Sequence, residues 1–191
     1  MVALEPAEAM TDFLLKEMKA HGVENIRIIQ ETWEEVNIEE QKFTGEFDLV
    51  FASMSPGINN WETIQKALEC SSKYCFISNF AGKRQSDALV NFWYTLFGEE
   101  IPEWPGDIIF ILNLLYARGF QLSFEVWEER RKAENTLEEA VFGLLEELQH
   151  YGIEEFPPEE KVKEFVEKNA VNGVFHQDFV TRLGQILIKL K

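Results

Sequence analysis

Glu5 closes a short apolar opening, Met1-Val2-Ala3-Leu4, and stands directly before Pro6 and a helical pattern. An acid at the carboxyl end of a strand entering a helix is placed to accept both hydroxyl protons of a ribose, as nucleotide-binding α/β folds do. The same position also suits an ordinary first-turn acid favoured by the helix dipole. A second strand-like run, Ile26-Arg27-Ile28-Ile29, leads to Glu31, Thr32 and Trp33, a polar pair and an aromatic that can stack on a base or pack in the core. A third, Phe47 to Ala52, ends in Ser53-Met54-Ser55-Pro56-Gly57, small and polar, which leaves room at its end. A fourth, Tyr74 to Ser78, runs into Asn79-Phe80-Ala81-Gly82 and then Lys83 and Arg84. Ligands of open α/β sheets sit beyond the carboxyl ends of the strands, so these four ends are where chemistry is expected.

The elements that would position them follow from periodicity. Met10, Phe13, Leu14 and Met18 recur at helical spacing from Glu8 to His21, and Gly22 supplies a stop. Another helix is expected over Trp61 to Cys70. Helices between short apolar strands favour parallel βαβ units. The second half changes character. Ile108 to Arg118 reads as an apolar helix stopped by Gly119, and Phe120 to Trp127 alternates as a strand. Thr136 with Glu139 makes a capping box for a helix toward Gln149. Pro158 to Lys168 is a further helix, and Val180 to Leu190 a final strand. Two strands around a pair of helices suggest a long hairpin with a helical insertion at about 129–178, within one domain over 1–191. Phe92, Trp93, Phe97 and Trp104, ahead of the Ile108 helix, read as core or as an apolar lid.

The chain has 191 residues, 18 of them Lys or Arg against 34 Asp or Glu, for a formal charge of −16. Such acidity argues against nucleic acid, which requires clustered cations, and against anionic lipid surfaces. Its longest apolar run is far short of a membrane span. Two cysteines, Cys70 and Cys75, are too few for a disulfide framework or a structural zinc, so no metal is expected. With no basic, apolar leader at the N-terminus, the expectation is a cytoplasmic protein.

Leu4-Glu5-Pro6-Ala7-Glu8-Ala9-Met10 resembles the segment after the second strand of class I S-adenosylmethionine-dependent methyltransferases: an acid, a small residue two positions on, and Met five positions on. Phe47-Asp48-Leu49-Val50 with the small run after it resembles their fourth-strand motif. Arg118-Gly119-Phe120 resembles the turn from their last helix into the sixth strand, and the terminal strand then matches their antiparallel seventh. The resemblance spans Met1 to Leu190 apart from the helical insertion. It implies an α/β, Rossmann-like sheet with helices on both faces and S-adenosylmethionine as cofactor. Glu5 would take the ribose hydroxyls. Thr32 falls where the family often has an Asp for the adenine amino group, Glu31 being a substitute, with Trp33 against the ring and Met10 beneath it or in the core. Ser53 and Met54 would line the methionine moiety, and Asn79, Lys83 and Arg84 the acceptor side, with a small-molecule acceptor. The activated sulfonium needs little side-chain chemistry, so no catalytic residue is nominated.

The departure is equally definite. The family's first strand and Gly-rich loop have no counterpart here, and no G-x-G occurs. In the family order 3-2-1-4-5-7-6 that strand is central, so the expected molecule is either a truncated methyltransferase or a non-catalytic remnant of the fold that acts as a binding module. Its exposed sheet edges would invite a homodimer. A dehydrogenase-like nucleotide-binding domain, with Glu5 on a nicotinamide ribose, suits the terminal hairpin less well.

Overall fold

The computed structural model describes residues 1–102, 107–149, 151 and 157–190. Its elements follow in the order β1 (Val2–Leu4), α1 (Glu8–His21), β2 (Arg27–Ile29), β3 (Phe47–Ser53), α2 (Trp61–Cys70), β4 (Ser71–Ser86), α3 (Asp87–Phe97), α4 (Asp107–Ala117), β5 (Gln121–Asn135), α5 (Leu137–Gln149), α6 (Glu159–Asn169) and β6 (Phe175–Lys189). The caps are those the residue types dictate. Gly22 ends α1 at φ 65°, and Asn60 opens α2 by accepting the Thr63 N–H. At α5 the Thr136 N–H donates to the Glu139 carboxylate at 2.9 Å, while the Glu139 N–H donates back to Thr136 Oγ1 at 3.3 Å.

β1 and β2 form a parallel pair, Val2 beside Arg27 and Leu4 beside Ile29. The other strands form one sheet in the order β3-β4-β6-β5. Strand directions follow from the contacts. Ser72 meets Phe47, Lys73 meets Asp48 and Phe76 stacks on Phe51, so β3 and β4 advance in step and are parallel. Leu190 bonds to Lys73 while Gln177 reaches Ser86, so β6 runs against β4. Gln185 with Glu125 and Gln177 with Asn135 make β5 and β6 antiparallel as well. A reversed strand between two that share a direction is the arrangement expected of the terminal hairpin. Within each sheet the family's neighbours are kept: its strands 3 and 2 match the β2-β1 pair, and its strands 4-5-7-6 match β3-β4-β6-β5.

Two compact units share the chain. One comprises Met1–Ile77, Leu114–Ser123 and Ile186–Lys191, the other Ser78–Asn113 and Phe124–Gln185. The first has a core of Ile29, Val36, Phe43 and Cys70, against which Leu4, Trp33, Phe47 and Val50 pack. In the second, Leu89, Phe92 and Trp93 of α3 are buried with Leu144 and Leu148 of α5 and Val162 and Val166 of α6. Phe92 and Trp93 are therefore core; Phe97 is 41% exposed, and Trp104 lies outside the described residues. Ser86 ties this core together. Its hydroxyl accepts the Leu89 N–H to cap α3 and donates to Glu147 of α5 at 3.0 Å.

Three expectations change. β4 does not end at Ser78 but continues through Ser86, so Asn79, Lys83 and Arg84 lie within a strand and not on a loop. Gly82 adopts φ 128° inside the strand, a conformation open to glycine but not to other residues, and β6 lies alongside to keep the ladder going. β5 and β6 are likewise longer than alternation indicates, since each is sustained by the other. The third concerns α1, whose apolar stripe is not covered. Thr11 is its buried residue, Leu14 and Met18 are half-buried, and Met10 and Phe13 are 55% and 59% exposed.

Gly184 of β6 is set under α4. A Cβ there would lie 2.9 Å from Cγ2 of buried Ile108 and 3.2 Å from Ala81 Cβ. Gly184→Val is expected to destabilise by about 1–3 kcal/mol through overpacking, read as a lower urea midpoint with unchanged slope.

Candidate functional site at the strand ends of the first unit

The parallel pairing brings the carboxyl ends of β1 and β2 side by side. The Glu5 N–H donates to Ile29 O at 3.1 Å, which places Glu5 next to the segment carrying Glu31 and Thr32. Glu5 is half-buried, and its Oε1 accepts the Ala7 N–H at 2.9 Å. One backbone donor thus fixes the carboxylate at the strand end while its acceptor capacity is far from used. Glu31 is exposed. Thr32 is engaged locally: its hydroxyl donates to Glu35 at 2.8 Å and accepts the Glu35 N–H at 3.3 Å, closing the turn that follows β2.

Trp33 is held more firmly than its sequence position foretells. Its indole N–H donates to Thr63 O at 2.9 Å, and Lys66 Nζ sits 5.3 Å from the ring centroid. A Cβ on Gly57 would come within 2.9 Å of Trp33 Cβ, so only glycine lets the loop after β3 approach this closely. Lys66 then donates to three carbonyls of the same segment, Trp33 O at 2.8 Å, Val36 O at 3.0 Å and Glu34 O at 3.1 Å. Asn59 completes the clamp through its amide to Glu34 at 3.0 Å and to Pro56 O at 3.2 Å. The 30–46 segment, which contains no helix or strand, is thereby fastened onto α2 and onto the loop after β3.

Ser53 ends β3, and Met54 follows it at φ 51°, 39% exposed. A non-glycine residue in the left-handed region costs roughly 1–2 kcal/mol, which the turn after β3 must offset. Met10 stands exposed on α1. The structure thus brings Glu5, Glu31 and Thr32 to one end of the β1–β2 pair. Asn79, Lys83 and Arg84 belong to the second unit. There Arg84 lies over Phe80, 4.6 Å from its centroid, whereas Lys83 opens into a cleft with α3 and α6.

The Lys66–Asn59 clamp escaped the sequence reading. Its partners lie more than twenty residues apart, and no local pattern marks a lysine that will bind three carbonyls. Cys70 and Cys75 are free and buried. Burial, reinforced by Glu69, pushes the Cys70 thiol up to about 11; burial, then Cys70, pushes Cys75 up to about 12. Both are neutral at pH 7. Unfolded thiols ionise near pH 8.5, so above that pH the unfolded chain holds fewer protons than the folded one, and stability falls toward pH 11. The urea midpoint is expected to drop between pH 8 and 10, with a shallower drop in a Cys70→Ala/Cys75→Ala variant.

No protein-family model matches this sequence, and no curated protein sequence matches it. Solved structures do. A candidate methyltransferase from Bacillus halodurans is similar over 98% of this chain and 81% of its own, with a TM-score of 0.54 at 15% identity. The YcgJ protein from Bacillus subtilis is similar over 100% of this chain and 82% of its own, with a TM-score of 0.56 at 9% identity. Strand order, the reversed β6 and these likenesses define the class I methyltransferase fold, α/β and Rossmann-like. Among the described residues no helix is long and apolar enough to cross a membrane.

Proposed function

We propose that the chain is an S-adenosylmethionine-dependent methyltransferase whose first unit holds the adenosyl half of the cofactor. The observation that carries this reading is the Glu5 carboxylate, fixed by one backbone donor at the carboxyl end of β1 beside the end of β2. That arrangement fits a ribose diol, which needs two acceptor positions at a strand end. Glu31 and Thr32 flank the adenine side, with Trp33 as one wall, although the partners of Thr32 and Trp33 make them chiefly builders of that wall. Ser53 and Met54 face the methionine moiety with their backbone, and Asn79, Lys83 and Arg84 serve a small-molecule acceptor. The cofactor supplies a methyl group already activated on a sulfonium, which leaves the protein to orient the acceptor and exclude water.

We propose further that the sheet is completed by association. Among the described residues β1 and β3 each keep one edge without a strand partner, and Leu49, Phe51 and Phe13 are 49%, 64% and 59% exposed in the same unit. A second copy pairing at these edges would cover them. Two buried, unpaired thiols suit a reducing cytoplasm. Calorimetric titration with S-adenosylhomocysteine tests the cofactor reading: saturable binding supports it, and absence of heat at millimolar ligand removes it. Light scattering tests association, which a strict monomer at high concentration would exclude.

A further inference from the structure

The second unit contains a cleft of about 980 Å³ lined by the end of β4, by α3 and by α6. That volume lies at the upper end of the range for small-ligand sites. Phe92 and Phe165 line it with ring centroids 4.9 Å apart and planes tilted by 51°, and Tyr94 lines it with its side chain largely exposed. Three lysines line it: Lys83 from β4, and Lys161 and Lys168 from α6. Lys161 and Lys168 are two helical turns apart, so they share a face at about 10 Å.

The chain carries 34 acidic against 18 basic residues. Lys163, on the same helix, is paired with Glu159 at 2.7 Å. Lys83, Lys161 and Lys168 have no carboxylate of a described residue within 4.0 Å. Two acids, Glu100 and Glu164, also line the cleft, which leaves it one positive charge in excess inside a strongly negative molecule. The exposed Tyr94 ring and the half-buried Phe165 ring, beside ammonium groups without carboxylate partners, suit one class of ligand, a flat apolar body bearing an acid.

We propose that this cleft binds a small aromatic carboxylate, its ring against Tyr94 and Phe165 and its carboxylate between Lys161, Lys168 and Lys83. Lys83 is shared with the acceptor side proposed above, whereas Tyr94, Phe165, Lys161 and Lys168 belong to this cleft alone, and nothing in it depends on Glu5.

The test is calorimetric titration of the full chain with 2-naphthoate, its neutral counterpart 2-naphthamide serving as comparison, without any nucleoside present. Saturable naphthoate binding is expected, with the amide at least tenfold weaker. A Lys161→Gln/Lys168→Gln variant should lose at least tenfold in naphthoate affinity at an unchanged melting temperature, while Lys16→Gln on α1 should bind as the parent does. Should the double variant melt early, Lys83→Gln alone provides the same comparison. No saturation at millimolar naphthoate, equal affinity for the amide, or indifference to the lysine substitutions would each overturn the proposal. Because no nucleoside is added, none of these outcomes bears on cofactor binding.

Discussion

Glu5→Ala is expected to weaken S-adenosylhomocysteine binding by about tenfold to a hundredfold, because hydrogen bonds to a charged group contribute about 1.5–3 kcal/mol. Titration calorimetry reads this directly. The variant also frees the Ala7 N–H that Glu5 accepts at 2.9 Å near the start of α1. That loss resembles a helix-cap deletion, about 1 kcal/mol, or roughly 2–4 °C in a chain of this size. Glu5→Gln separates the two effects, since it keeps an acceptor for Ala7 while losing the charge. The expected order of affinity is parent, then Gln, then Ala. Equal affinities in all three would remove Glu5 from the site and with it the main support for the methyltransferase reading.

The second large effect is expected at Lys66. Lys66→Met preserves the length of the side chain but deletes hydrogen bonds to Trp33 O, Glu34 O and Val36 O and the cation over the Trp33 ring. The carbonyls are partly shielded, so solvent replaces the ammonium only in part. A loss of about 3 kcal/mol follows, or roughly 6–12 °C in melting temperature. Cofactor affinity should fall as well, because the 30–46 segment carries Glu31 and Thr32 and no regular element of its own holds it. Lys66→Arg, which keeps the charge and several donors, should recover part of both. A loss below about 1 kcal/mol would mean that water satisfies these carbonyls adequately.

Much of this molecule was readable before any coordinates. The short helices α1, α2, α5 and α6 match their apolar spacing and caps because both are local: Gly22 and the Thr136–Glu139 pair act within a few residues. The reversed last strand could be expected from the pair of strands around the α5–α6 insertion. Strand lengths were less legible. β4 passes through Gly82 because β6 is there to pair with it, and no window of sequence around residue 80 contains that information. Burial on α1 failed for a similar reason. An apolar stripe states that a face can be covered, and whether it is covered depends on what else packs there.

The sequence by itself determined the class of fold, the sign of the charge and the place of Glu5 at the end of a strand, since each depends on residues adjacent in the chain. Tertiary structure alone decided that Lys66 clamps the segment after β2, that Lys83 joins Lys161 and Lys168 around one cleft, and that β4 runs on through Gly82 beside β6. The physical reason is range. Helix periodicity and capping act over a few residues, whereas a lysine finds its carbonyls, and a strand its neighbour, only when distant segments have been brought within a few ångströms.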